Sequence, residues 1–215
     1  MIAKRFLALA AVSALALSAC SSNAAPTDAD CAKAEVLCVG LVTDLGKVDD
    51  KSFNQSAWEG AKAAAEEAGG ISKYVETVDT KDYAANIKQF TDKKYDVIVT
   101  VGFLMANATV TEAAKYPDIK FIGVDQFVDT TKATPNLAGL NWHEDQAGFI
   151  AGYLAGYMTK TGKTGAVLGL NIPPVYRYAA GFQNGVAFAG KEQKKKFPAS
   201  KLIYHPAGDN AFSDP

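Results

Sequence analysis

Histidine is scarce in this 215-residue chain, which also holds only 3 Cys, 3 Met and 2 Trp. Two histidines leave little room for a Ser-His-Asp triad, and the sequence has no G-x-S-x-G segment. Neither sign of charge is in marked excess, since 22 Lys and Arg stand against 23 Asp and Glu. That balance argues against a basic nucleic-acid binder and against a disordered acidic tail. The 48% hydrophobic content is typical of a folded globular chain.

Two segments resemble cofactor or metal motifs only superficially. Between Gly156 and Gly162-Lys163-Thr164, five residues separate the glycines where a phosphate loop needs four, and a predicted strand follows the segment instead of preceding it. His143-Glu144-Asp145 are consecutive residues at the start of a predicted helix, so their side chains point in different directions. The sequence therefore predicts no cofactor and no metal site.

The first 35 residues indicate export and membrane attachment. Lys4 and Arg5 precede an uncharged run over 6–19, as in a secretory signal, and this run is too short for a permanent transmembrane helix. Leu17-Ser18-Ala19-Cys20 looks like a bacterial lipobox, whose cysteine is lipidated. We expect a signal peptide at 1–19, lipidation at Cys20 and a lipidated tether over 20–35. The alternative is an ordinary signal with an incidental cysteine.

The other two cysteines, Cys31 and Cys38, lie close together just before the first predicted strand. Disulfides persist in exported proteins, so a local bridge between them is one interpretation. The other is that Cys38 is a small buried apolar side chain in the run 36–42. Zinc is not indicated, because no matching histidine cluster accompanies the cysteines.

Beyond residue 36 the hydrophobic pattern alternates between strand and helix. The run 36–43 is continuously apolar, as expected for a strand buried on both faces, and alanines recur at helical spacing in 53–68. Alternation of this kind predicts an α/β fold with a parallel sheet and helices on both faces. Strands are expected at 36–43, 74–78, 97–101, 121–124, 137–140, 166–170 and 202–204, and helices at 53–68, 84–90, 107–115, 143–158 and 176–189.

Polar and aromatic residues follow several of these strands. Ligands of open parallel sheets bind beyond the carboxyl ends of the strands. Asp44 and Asp125 stand directly at strand ends, which favours a ligand-binding role, and nearby aromatics suit a small polar ligand with a flat face. For Asp50 and Ser52, capping of the helix at 53–68 is an equal alternative.

One family resemblance is specific. The segment 40–60, GLVTDLGKVDDKSFNQSAWEG, resembles the signature of the basic membrane protein family, and 121–125, 141–155 and 174–185 give further matches. These proteins are substrate-binding lipoproteins of ABC importers and include the purine nucleoside receptor of spirochaetes. The resemblance implies a type I periplasmic-binding fold of two doubly wound lobes, here at 36–141 and 142–215. It also implies that the second lobe and the return to the first are incomplete within 215 residues, so that a fragment with an exposed apolar sheet edge and half a binding site is expected.

The resemblance assigns roles to individual residues. Asp44 and Asp125 are expected to read the edge of a base, and Phe53 to stack on it. Tyr178 is the expected second ring, although the family usually has Phe there, and Phe182 is an alternative. The ligand-binding residues implied are Asp44, Asp50, Phe53, Asn54, Asp125 and Tyr178, of which Asn54 and Asp50 are the weaker candidates.

The function implied is transport and not catalysis. We expect a lipid-anchored receptor on the extracytoplasmic face of a bacterial cell membrane, which passes a nucleoside, in particular a purine nucleoside, to an ABC permease and its ATPase. Two alternatives stay open. One is a surface hydrolase that uses Asp44 and Asp125 as paired carboxylates, and the other is a receptor of the same fold for a sugar, a lipid surface or a matrix partner.

Overall fold

Strands and helices alternate along most of the chain between Cys38 and Tyr204 in the computed structural model, which describes residues 25–128 and 135–205. The predicted signal peptide and Cys20 lie outside these residues. The strands are β1 Cys38–Leu45, β2 Ile71–Thr77, β3 Val97–Val101, β4 Lys120–Val124, β5 Leu137–Leu140, β6 Gly165–Leu168 and β7 Lys201–Tyr204. The helices are α1 Phe53–Glu67, α2 Tyr83–Thr91, α3 Ala106–Lys115, α4 Glu144–Met158 and α5 Pro173–Glu192.

The strands form two parallel sheets. The first has five strands in the order β2-β1-β3-β4-β5, and the second pairs β6 with β7. All hydrogen-bonded neighbours in both sheets are parallel, so they are joined by crossover connections and not by tight hairpins. The predicted α/β class with parallel sheets is therefore confirmed.

Apolar side chains fill both faces of the five-stranded sheet. On one face α2 and α3 pack against it, where Ile87, Phe90 and Phe121 are almost completely buried. On the other face α1 contributes Ala61 and Ala65. Burial removes each large apolar side chain from water at a gain of about 1.5–3 kcal/mol. The interior strand β1, which lies between β2 and β3, is buried on both faces from Cys38 to Thr43, which explains its continuous apolar sequence.

Several predicted boundaries were wrong by a few residues. β1 runs on through Asp44 and Leu45, and β2 begins at Ile71 because its pairing with β1 starts at Cys38 and Ile71. α5 begins at Pro173, where proline is tolerated because the first helical N–H groups need no partner inside the helix. The strand predicted at 166–170 is the shorter β6.

Helices α4 and α5 run in the same direction and approach each other closely. A Cβ at Gly148 would overlap the carbonyl oxygen of Tyr178, and a Cβ at Gly152 would overlap that of Phe182. Gly181 and Gly185 on α5 face the backbone of α4 in the same way. Small residues at this spacing bring the two backbones into contact and fix how far α5 is displaced along α4.

Part of the first sheet lacks a helical cover within the described residues. Helix α1 packs over β1, β2 and β3, and next to it a largely apolar groove of about 720 Å³ extends towards β4 and β5. Its apolar lining includes Leu37, Val39, Val99, Ile122, Val124 and Trp142.

The segment before β1 is attached firmly to the first sheet. A disulfide joins Cys31 to Cys38, and both residues are buried. Asp28 forms ion pairs of 2.8 Å with Lys73 and with Lys93. These two ammonium groups hold the pKa of Asp28 well below its usual range. Across 25–128 and 135–205, every helix is too short or too polar to cross a bilayer.

Candidate functional site

A cleft of about 540 Å³ lies where β1, β3 and β4 end. This is the edge at which parallel α/β sheets bind ligands. Walls come from residues after these strands and from the first turns of α5. All six ligand-binding residues implied by the sequence line it, namely Asp44, Asp50, Phe53, Asn54, Asp125 and Tyr178. The structure thus brings these residues together, while their ligand contacts stay a prediction.

Asp44 is a partly buried carboxylate near the end of β1. The phenol of Tyr83 donates a hydrogen bond to its Oδ1, and the backbone N–H of Leu45 donates to the same oxygen at 2.7 Å. Burial raises the pKa of Asp44, and these two hydrogen bonds oppose that rise because they favour the charged form. One carboxylate oxygen is thereby oriented by the protein.

Asp125 directly follows β4 and has the left-handed backbone conformation, with φ of 59°. Asp adopts this conformation more readily than most residues. Its N–H donates to the carbonyl of Leu140 at 2.9 Å, which fixes the turn. Burial raises the pKa of Asp125 to about 6, the negative charges of Glu144 and Asp44 add to the rise, and the Arg177 guanidinium opposes it. Near pH 6 this carboxyl can therefore both donate and accept hydrogen bonds.

Aromatic side chains reach the cleft from two different helices. Phe53 is the first residue of α1 and is 44% exposed, whereas Tyr178 lies in α5 and is 36% exposed. Phe182, the alternative second ring, is absent from the cleft lining, and its carbonyl packs against Gly152 of α4. Phe103, which follows β3, also lines the cleft.

Asp50 and Asn54 have structural contacts that account for much of their polar character. The carboxylate of Asp50 accepts hydrogen bonds from the backbone N–H groups of Ser52, Asn54 and Gln55 at 2.8, 3.0 and 3.1 Å, so it caps α1. Ser52 occupies the N-cap position but its hydroxyl makes no capping hydrogen bond, so the capping alternative holds for the side chain of Asp50 and not for that of Ser52. Asn54 is buried and donates to the carbonyl of Lys47 at 3.3 Å.

Sequence reasoning missed a buried ion pair near the cleft. The side chain of Glu144 is 1% exposed and lies 3.2 Å from Nη1 of Arg177. Its neighbours His143 and Asp145 are largely exposed, with side-chain exposures of 82% and 58%. In the described parts of the chain, no group of three or more His, Cys, Asp or Glu is suited to hold a metal ion. The available signal was the polar triplet at 143–145, but its pairing with a residue of another helix left no trace in the sequence.

Comparison with known proteins gives consistent matches. Residues 38–195 match the Bmp family model, described as ABC transporter substrate-binding protein PnrA-like. The ABC transporter nucleoside-binding protein BmpA of Lactococcus lactis is 30% identical over 85% of this chain and 53% of its own length. An uncharacterized lipoprotein of Pyrococcus horikoshii is 32% identical over 79% of this chain and 42% of its own length.

The fold also matches solved structures. A crystal structure of an ABC transporter solute-binding protein from Aeropyrum pernix superposes with a TM-score of 0.68 and 26% identity, covering 79% of this chain and 47% of that protein. The chain spans about half the length of the curated relatives it matches. Since the family model covers most of the chain, the protein belongs to the Bmp family of PnrA-like ABC transporter substrate-binding proteins.

Proposed function

We propose that this protein is a lipid-anchored receptor that captures a nucleoside, in particular a purine nucleoside, on the extracytoplasmic face of the membrane. An ABC permease and its ATPase would take up the ligand. The proposal excludes an enzymatic role for this chain. The observation that carries it is one cleft that combines two carboxylates, Asp44 and Asp125, with the rings of Phe53 and Tyr178.

The chemistry of this cleft fits a base better than a sugar alone. A purine has two flat faces for aromatic stacking and an edge of N–H groups and ring nitrogens. Asp44 accepts hydrogen bonds from such N–H groups, and the raised pKa of Asp125 allows it to pair with a donor or an acceptor. A nucleoside-binding relative, BmpA of Lactococcus lactis, supports the same class of ligand.

Membrane attachment rests on the segment Leu17-Ser18-Ala19-Cys20, and the lipoprotein relative from Pyrococcus horikoshii supports it. Each buried CH₂ of a lipid chain contributes about 0.8 kcal/mol to membrane binding. Cys20→Ser is therefore expected to release the protein from the membrane fraction, and continued attachment of this variant would contradict the anchor.

Calorimetry with the full-length gene product tests the ligand. We expect heats of binding for adenosine, guanosine or inosine, weaker binding of cytidine and uridine, and none for free ribose. Binding to no nucleoside would refute the proposal. Release of free base from a bound nucleoside would instead support the hydrolase alternative, and preferential binding of ribose or glucose would support a sugar receptor.

A further inference from the structure

An ion pair between α4 and α5 lies beside the cleft but does not line it. Glu144 is the first residue of α4, and Arg177 lies in the second turn of α5. Nη1 of Arg177 is 3.2 Å from Oε2 and 3.5 Å from Oε1 of Glu144. The Glu144 side chain is 1% exposed and that of Arg177 is 38% exposed. A carboxylate this deeply buried depends on such a partner, because burial of an unpaired charge is strongly unfavourable.

The same turn of α5 carries Tyr178, the aromatic residue of the cleft wall. Arg177 immediately precedes Tyr178, and the carbonyl of Tyr178 packs directly against Gly148 of α4. Glu144 and Gly148 are four residues apart and so share one face of α4. This face of α4 therefore makes two contacts with the turn of α5 that carries Tyr178: the ion pair and the close backbone contact.

The two charges of the pair also act on Asp125, across the boundary between the two sheets. Glu144 raises the pKa of Asp125 and Arg177 lowers it, while Asp44 adds a further rise. The pKa of Tyr178 is raised by burial, which has the largest effect, then by the charge of Glu144 and finally by that of Asp125. The further charged groups that line the cleft are Lys47, Asp49 and Asp50.

We propose that Glu144 and Arg177 are a positioning pair for ligand recognition, which holds the Tyr178 ring at the cleft and sets the charge that Asp125 presents there. Neither side chain lines the cleft, so both act through residues that do. The proposal rests on the nucleoside-binding function proposed above. According to this proposal, the ion pair affects ligand binding in addition to stabilising the contact between α4 and α5.

The charge of Asp125 can be measured without any ligand. Aspartate ¹³C-carboxyl titration of the full-length gene product in detergent micelles, with the Asp125 signal assigned from Asp125→Asn, gives its pKa directly. Glu144→Gln keeps the shape of the side chain and removes its charge, so the pKa of Asp125 is expected to fall. Asp145→Asn is the matched control, because it removes the same charge at the neighbouring exposed position and leaves that pKa unchanged.

The positioning of Tyr178 is tested with a double-mutant cycle on the affinity for adenosine and guanosine. Arg177→Lys keeps the charge and loses the planar guanidinium. We expect it to weaken binding about fivefold or more in the unmodified protein and less than twofold in a Tyr178→Ala background, because the effect acts through that ring.

Two results would overturn the inference: equal Asp125 titrations for Glu144→Gln and Asp145→Asn, or additive losses for Arg177→Lys and Tyr178→Ala. If the unmodified protein binds no nucleoside, the proposed function fails while the titration still decides whether the pair controls Asp125. If Glu144→Gln fails to fold, the Arg177→Lys cycle decides.

Discussion

Replacement of Gly102 by alanine should disturb both the fold and the cleft. Gly102 follows β3 with φ of 100° and ψ of 146°, a region close to that occupied almost only by glycine. A Cβ at this position would overlap Oδ2 of Asp44 and lie 2.6 Å from its Cβ, so the whole carboxylate would have to move. The backbone cannot relax easily, because its N–H donates to Val124 at 2.9 Å and its carbonyl accepts from Met105 at 3.2 Å.

Backbone strain costs about 1–3 kcal/mol and overpacking a similar amount, so we expect Gly102→Ala to lower the free energy of unfolding by about 2–4 kcal/mol. With an m-value of about 2 kcal/mol per molar urea, the unfolding midpoint should fall by about 1–2 M. Nucleoside affinity should fall as well, since Asp44 is displaced.

Gly60→Ala is the matched control. Gly60 is an exposed residue within α1, and a Cβ there would have no neighbour within 4 Å. Alanine is a better helix former, so this variant should gain about 0.5–1 kcal/mol of stability. Urea midpoints that are equal for the two variants, or a Gly102→Ala protein as stable as the unmodified one, would refute the reasoning.

Three further predictions concern the cleft, the tether and pH. Phe53→Ala should lose about 1–3 kcal/mol of nucleoside affinity, or roughly 5- to 150-fold in Kd by calorimetry, whereas Phe127→Ala, which is 69% exposed and outside the cleft lining, should lose none. The double variant Cys31→Ser/Cys38→Ser removes the disulfide, which joins residues 7 positions apart, and should lower the free energy of unfolding by about 2.5 kcal/mol. Coinciding urea unfolding curves for this variant and the unmodified protein would contradict the prediction. The pKa of Asp125 rises on folding from 3.8 to about 6, so the folded state binds the proton of this carboxyl more tightly than the unfolded state does. The contribution of Asp125 to the free energy of unfolding should therefore decline as pH rises from about 4 to 6. Asp125→Asn should flatten that part of the stability profile in urea unfolding, and an unchanged profile would count against the shift.

Local sequence patterns predicted most of the secondary structure. The run 97–101 became β3 with the predicted bounds, since β-branched residues fit a buried parallel strand. Boundaries were less predictable where pairing decided them: β2 begins directly after Gly70 because Ile71 pairs with Cys38. The order of strands in the sheet depends on contacts between residues that are distant in sequence, so local sequence patterns do not predict it.

The candidate site likewise has features that local sequence patterns predict and features that they do not. Asp44 and Asp125 could be predicted as neighbours, since one lies near the end of β1, the other directly follows β4, and the ends of parallel strands share one edge of the sheet. Tyr83 could not be predicted as the partner of Asp44, because 39 residues separate them and the hydrogen bond forms only once α2 packs on the sheet.

The Glu144–Arg177 pair shows most clearly where prediction from local pattern ends. Its members lie 33 residues apart on two helices, and their contact depends on how far α5 is displaced along α4. Gly148 and Gly152 fix that displacement, because their missing side chains admit the carbonyls of Tyr178 and Phe182. One turn of displacement would separate the charges and carry Tyr178 out of the cleft. The glycine spacing of α4 is therefore a determinant of the shape of the cleft, although no glycine of that helix lines it.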